Sequence, residues 1–136
     1  VLDDRGLDAA LSALAGRSHI PVTLDVRMEG RPTVSEGTFR EAEAAAYFSI
    51  AEALTNAAKH SRASSCRVAV RLREPGTPRA VLWARVEDNG IGGANVSPGG
   101  GLDGIFNRVL AAGGIFRFDS PLGGPTALEV SVPCGS

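Results

Sequence analysis

The sequence predicts an α+β fold, a two-layer sandwich with helices on one face of a mixed β-sheet. Segments with the apolar spacing of a helix are mixed with segments in which apolar and polar residues alternate, as in strands. Short turns rich in proline and glycine separate pairs of these strands, which predicts antiparallel hairpins. Helices and hairpins mixed in this order are typical of a layered α+β domain.

The first half of the chain contains two predicted helices and one predicted strand. Leu7 to Ala15 carries an apolar stripe at helical spacing, and the segment ends before Pro21. Val22 to Val26 alternates as a strand. Thr38 and Glu41 fit a capping box, and the helix that they open is expected to run to about residue 60.

The second half contains four predicted strands and one predicted helix. These elements are a strand over residues 66–72, a strand over 80–88, a helix over about 102–112, and strands over 115–120 and 126–132. Residues 75–78 read as the hairpin loop of the first pair, and Gly123-Gly124-Pro125 as the turn of the second.

Composition and charge narrow the classes of function. The 136 residues suit one domain with a substantial core, and the net charge of −1 favours neither nucleic acid nor an anionic membrane as a partner. No apolar run approaches the ~20 residues of a membrane span. Cys66 and Cys134 lack metal-ligand spacing and suit small apolar core positions. We expect a cytoplasmic domain without membrane contact.

The chain starts at Val1 rather than Met, so we expect a single domain, residues 1–136, excised from a longer protein that can itself carry a membrane anchor.

A polar group of residues lies on the predicted helix over residues 38–60. At about 100° per residue, with Glu52 at 0°, Asn56 falls near 40° and Lys59 near −20°. Apolar positions fall on the opposite side, between about 140° and 260°: Tyr47, Ile50, Ala51, Leu54, Ala57 and Ala58. Any amphipathic helix has a solvated face of this kind. Asparagine is however a mediocre helix former, and its amide oxygen is a good ligand for Mg²⁺.

Asp88 ends a predicted strand and shares one face with Leu82, Ala84 and Val86, so its carboxylate is expected to point inward. Burying a carboxylate is costly unless it is paired or accepts hydrogen bonds, and the amino group of adenine would be a fitting donor. An Asp that caps a turn before Asn89-Gly90 is the alternative.

Glycine is concentrated after Asp88. Of the 17 glycines, 11 lie between Gly90 and Gly124. Successive glycine N–H groups can hold phosphate oxygens. The Gly101-Leu102-Asp103-Gly104 segment begins the next predicted helix, where free N–H groups and the helix dipole favour an anion.

Taken in order, these motifs resemble the nucleotide-binding fold of gyrase, heat-shock chaperone, mismatch-repair and histidine-kinase ATPases. The similarity is greatest to the catalytic domain of sensor histidine kinases of the nitrate-sensor and desaturase-sensor type. It rests on Glu-Ala-Leu-Thr-Asn-Ala-Ala-Lys-His-Ser at 52–61, Gly-Leu-Asp-Gly-Ile-Phe-Asn-Arg-Val at 101–109 and Leu-Ala-Ala-Gly-Gly at 110–114. The resemblance covers nearly the whole chain and implies a Bergerat-type ATP-binding fold.

The resemblance also implies residue roles and cofactors, ATP and Mg²⁺. Asn56 would ligate Mg²⁺, and Glu52 would lie in reach of the metal's waters. Glu52 and Lys59 would be the catalytic residues. Lys59 and His60 would contact the phosphates. Asp88 would accept from the adenine amino group. The remaining nucleotide contacts would come from Gly90, Gly92, Gly101, Leu102, Gly104 and Thr126. Residues 93–100 would form a short lid. Pro125 stands where the family usually has Gly.

The implied activity is transfer of the γ-phosphoryl group of ATP to a histidine in two-component signalling, a bacterial phosphorelay. The phosphoacceptor would lie on the protein's own upstream dimerisation domain, since neither His19 nor His60 fits that role. A response regulator would be the further partner. The alternative is a serine kinase and regulator of the anti-sigma-factor type on the same fold. Retention of Glu52, Asn56 and Asp88 argues against a degenerate module without catalysis.

Overall fold

The computed structural model describes residues 6–32, 37–60, 62–93 and 101–135, without the side chain of His60. In order, the elements are α1 (Gly6–Gly16), β1 (Val22–Arg27), α2 (Gly37–His60), β2 (Cys66–Arg73), β3 (Val81–Asp88), α3 (Gly101–Ala111), β4 (Ile115–Asp119) and β5 (Thr126–Pro133). None of the helices in these residues is long and apolar enough to cross a bilayer.

The five strands form one mixed sheet in the order β1-β2-β3-β5-β4. β1 pairs with β2 in parallel, and every other neighbouring pair is antiparallel. The sheet therefore combines two hairpin pairs, β2–β3 and β4–β5, with one parallel edge strand. This arrangement confirms the predicted α+β class and the mixed sheet.

The helices cover one face of this sheet, and that face is the core. On β2, β3 and β5 the inward side chains are buried while their alternating neighbours are partly or fully exposed. α2 is the central helix, because it contacts β2, β3 and β5 as well as both other helices. Its position determines where the site lies, because α2 packs against β3, the strand that ends at Asp88.

The orientation of α2 differs in part from the helical-wheel prediction. Ile50, Leu54 and Ala57 are buried as expected, but Tyr47, Ala51 and Ala58 are only partly buried. The most deeply buried positions of the helix are Ala42, Glu43, Ala45, Ala46, Ser49, Ile50 and Ala57. Small residues predominate at these positions because α2 lies close to the sheet and is flanked by a helix on each side. The side that carries Glu52 and Asn56 therefore borders the buried face rather than opposing it.

Candidate functional site

The site is built around Asp88, the last residue of β3. Its side chain shares the inward face of the strand with Leu82, Ala84 and Val86 and is only 4% exposed. The Asp88 Oδ1 atom accepts a hydrogen bond of 2.8 Å from the backbone N–H of Gly90. The carboxylate thus points into the domain, as expected, and also caps the turn that follows it, while its role toward adenine stays a prediction.

Three strands bring polar side chains to the same level of the sheet. Asp88 lies opposite Cys66 of β2 and opposite Thr126, the first residue of β5. Residues directly opposite in antiparallel strands have neighbouring side chains on one face. Burial together with the charge of Asp88 raises the pKa of the Cys66 thiol to about 12. On its buried face, the C-terminal end of β3 is therefore lined by a neutral thiol, a carboxylate and a hydroxyl.

The two turns beside Asp88 interlock through their backbones. Gly92 has a φ of +70° and Gly124 a φ of +78°. A Cβ at Gly92 would overlap the carbonyl oxygen of Pro121, and one at Gly124 would overlap that of Gly90. The N–H of Gly123 donates to the Ile91 oxygen at 2.7 Å. Next to Asp88 the two turns are consequently packed main chain against main chain, which only glycine permits at these two positions.

The second glycine segment opens α3. Gly101 is its first residue, and Leu102 is buried in the core, so that a ligand could meet its N–H but not its side chain. A Cβ at Gly104 would lie 3.7 Å from the Phe48 ring of α2, an ordinary van der Waals contact. The expected lid at 93–100 lies outside the described residues, apart from Gly93.

The polar residues of α2 occupy its C-terminal half. Glu52 and Asn56 are partly buried and stand one turn apart on the same side of the helix. Lys59 is exposed and lines a cavity of about 300 Å³ between α1 and α2, together with Arg17 and His19. His60 is the last residue of the helix.

Three polar residues were missed in the sequence, two of them beside the site and one remote from it. Asn89 joins the turn after β3 to the loop after α2, because its Oδ1 accepts from the N–H groups of Ser64 at 2.8 Å and Ser65 at 3.0 Å. Its Nδ2 donates to Ser64 Oγ at 2.8 Å. The Ser120 Oγ lies 2.6 Å from Thr126 Oγ1. For both residues, no local pattern points to partners so distant in sequence or across a turn.

The third is Glu43, which is 1% exposed within the apolar face of α2. Its Oε2 accepts from Arg31 Nη2 at 3.1 Å and from the Leu7 N–H of α1 at 3.3 Å. A charged residue within an apolar stripe was the available signal for this residue. Glu43 holds α1 against α2, and its role is therefore structural.

The donor set suits a nucleotide with a hydrated metal better than a metal held by protein alone. Within the described ranges no three His, Cys, Asp or Glu side chains cluster to hold an ion. Mg²⁺ bound with phosphates needs only one or two protein oxygens, which Glu52 and Asn56 could supply.

A separate cavity of about 430 Å³, bordered by Asp25, Arg67, Arg85 and Glu87, lies on the outer face of the sheet.

Solved structures share this architecture. The histidine kinase domain of the blue-light activated kinase from Erythrobacter litoralis matches with a TM-score of 0.60 at 21% identity, over 94% of this chain and 59% of that one. The chain has the fold of a histidine kinase domain. Histidine kinase AdeS from Acinetobacter baumannii matches with a TM-score of 0.60 at 14% identity, over 96% of this chain and 62% of that one.

A mycobacterial sensor histidine kinase, MprB, matches this histidine kinase fold with a TM-score of 0.56 at 23% identity, over 93% of this chain and 92% of the other. The chain thus spans less than two thirds of the Erythrobacter and Acinetobacter structures and nearly all of the mycobacterial one. No model of a known protein family matches the chain, and no curated protein sequence matches it.

Proposed function

We propose that this chain is the ATP- and Mg²⁺-binding catalytic domain of a sensor histidine kinase. The observation that carries the proposal is the end of β3, where a buried carboxylate, a neighbouring hydroxyl and two interlocked glycine turns lie together. A histidine kinase fold supplies the context, in which this arrangement suits the base of an adenine nucleotide.

The base would enter beside the interlocked glycine turns, and its amino group would donate a hydrogen bond to Asp88. A carboxylate accepts hydrogen bonds only, so the amino group of the base would be a fitting donor to Asp88. Gly90 and Gly92 would bring the backbone against the ring. Thr126 would supply a second polar contact from β5.

The phosphates would extend from the base toward the start of α3. The N–H groups of the first turn, at Gly101 and Leu102, and the positive end of the helix dipole would favour their charge, and Gly104 would allow a close approach. Lys59 and His60 at the end of α2 would approach from the other side. Mg²⁺ would be held by Asn56, with Glu52 in reach of its waters, and would neutralise phosphate charge when bound.

Catalysis would then consist of positioning and charge neutralisation, for which phosphoryl transfer needs little covalent participation from the protein. The acceptor histidine would belong to the protein's own upstream dimerisation domain, and a response regulator would receive the phosphoryl group afterwards. We place the domain in the cytoplasm, where ATP is available.

Phosphorylation of the full-length protein tests this activity. Incubation with radiolabelled ATP and Mg²⁺ is expected to give an acid-labile, base-stable phosphate, as phosphohistidine does. Asn56→Ala is expected to reduce the labelling at least tenfold, whereas Thr55→Ala, an exposed neighbour on the same helix, should leave it unchanged. Acid-stable phosphoserine on a partner protein would contradict the proposal and support the anti-sigma-factor type of kinase.

A further inference from the structure

Ser120 lies between the candidate base site and the first glycine turn. It follows β4 directly and is partly buried. Its backbone oxygen accepts a hydrogen bond of 2.8 Å from the N–H of Gly93, and its Oγ lies 2.6 Å from Thr126 Oγ1. The backbone of Ser120 is thus bonded to the first glycine turn through Gly93, and its side chain contacts Thr126 of the candidate base site.

The bond between the two hydroxyls can run in either direction. A hydroxyl carries one hydrogen and can accept two further hydrogen bonds. If Thr126 donates to Ser120, its oxygen can only accept from a ligand. If Ser120 donates to Thr126, the hydrogen of Thr126 remains available for a ligand. The direction of this hydrogen bond therefore decides whether Thr126 can donate a hydrogen bond to a ligand atom or can only accept one.

The chemistry of adenine selects between the two directions. The pairing edge of adenine has an amino donor next to a ring-nitrogen acceptor, N1. Asp88, opposite Thr126 in the sheet, is an acceptor and suits the amino group. The ring nitrogen then requires a donor at the neighbouring position, which Thr126 can be only when its hydrogen is free.

We propose that Ser120 is a positioning residue that donates its hydroxyl hydrogen to Thr126 and so keeps the Thr126 hydroxyl as a donor for the N1 atom of adenine. The inference rests on the proposed function and extends it to base selectivity. Guanine presents an oxo group and a ring N–H at the same two positions. It would set acceptor against acceptor at Asp88, which a buried site penalises strongly, and it would require the Thr126 hydroxyl to turn its hydrogen away and accept instead.

Calorimetric titration with ADP and with GDP tests the role of Ser120. Ser120→Ala is expected to weaken ADP binding about fivefold to tenfold, the effect of one hydrogen bond, and to lower the preference for ADP over GDP. Ser120→Thr keeps the hydroxyl and should therefore show the wild-type affinity for ADP and the wild-type preference for ADP over GDP. Ser131→Ala removes a hydroxyl from the outer face of the same sheet and should change neither.

A second titration replaces the ligand atom instead of the residue. Wild-type protein is expected to bind 1-deaza-ADP, which lacks the ring nitrogen, about fivefold to tenfold more weakly than ADP. In Ser120→Ala the difference between the two ligands should shrink, because the Thr126 hydroxyl is no longer held with its hydrogen toward the base. This measurement on the wild type decides the direction of the hydrogen bond even if the variant does not fold.

The outcomes separate the two proposals. Equal affinity of the wild type for ADP and 1-deaza-ADP, or wild-type affinity and selectivity in Ser120→Ala while Asp88→Asn loses binding, would overturn the role of Ser120 alone. Absence of ADP binding by the folded wild type would overturn the proposed function.

Discussion

At the scale of single residues, the geometry around Asp88 depends on glycines that are not interchangeable. Gly92 adopts a left-handed backbone conformation, and the position of its missing side chain is occupied by the Pro121 carbonyl group. Gly104 has ordinary helical geometry, and a methyl group there would only touch Phe48. The two glycines belong to the same predicted site but have different physical reasons to be glycine.

Alanine substitutions should separate these two reasons. Gly92→Ala is expected to lower the free energy of unfolding by at least about 2 kcal/mol, because it combines backbone strain with overlap against a main-chain oxygen. Gly104→Ala is expected to raise it by up to about 1 kcal/mol, since alanine is the better helix former. Urea unfolding without nucleotide measures both. Equal effects of the two substitutions would contradict this assignment.

The residues of the site differ in how far the sequence could predict them. The inward direction of Asp88 followed from strand alternation, a local rule, and its burial confirms it. Asn89 and Ser120 could not be found in this way, because their partners Ser64 and Thr126 are fixed by the packing of loops against one another. The roles of Glu52, Asn56 and Lys59 toward a nucleotide remain predictions.

At the scale of elements, the packing of α1 against α2 depends on a buried charge. Glu43 is 1% exposed, and its partner Arg31 also reaches Asp8, whose side chain is 55% exposed. Arg31 stands in addition 5.9 Å from the centre of the Phe39 ring. One carboxylate thus joins the first turn of α1, the segment after β1 and the helix that carries the candidate metal ligands.

Removing this carboxylate should destabilise the domain much more than removing its exposed counterpart. Glu43→Ala is expected to cost about 3 kcal/mol, because it leaves Arg31 and the Leu7 N–H without their buried acceptor. Asp8→Ala is expected to cost less than about 1 kcal/mol. Denaturant unfolding followed by circular dichroism compares them. A loss for Glu43→Ala no larger than for Asp8→Ala would show that the buried pair does not hold the helices together.

The extents of the elements followed closely from periodicity and turn residues, whereas the orientation of α2 did not. A helical wheel identifies an apolar side, but it does not show where the sheet and two neighbouring helices meet that side. In the structure the deepest positions are mostly alanines, and Tyr47 lies at the margin. Small residues carry little hydrophobic signal, so the contact line could be read only from the packing.

At the scale of the whole molecule, the fold class was predictable because each hairpin and helix has its own local signal. The parallel pairing of β1 with β2 had none, since it joins strands separated by the whole of α2. The resulting architecture is shared with histidine kinase structures at 14% to 23% identity. A likeness at such identity shows the fold, while the ligand has to be argued from the site.

We propose above all that the C-terminal end of β3 binds the base of an adenine nucleotide through Asp88. Calorimetric titration of the wild type and of Asp88→Asn with a non-hydrolysable ATP analogue and Mg²⁺ tests it most directly. Asp119→Asn, an exposed acid on β4, is the matched control. We expect saturable, Mg²⁺-dependent binding that Asp88→Asn weakens at least about tenfold and Asp119→Asn leaves unchanged. Wild-type affinity in folded Asp88→Asn would contradict it.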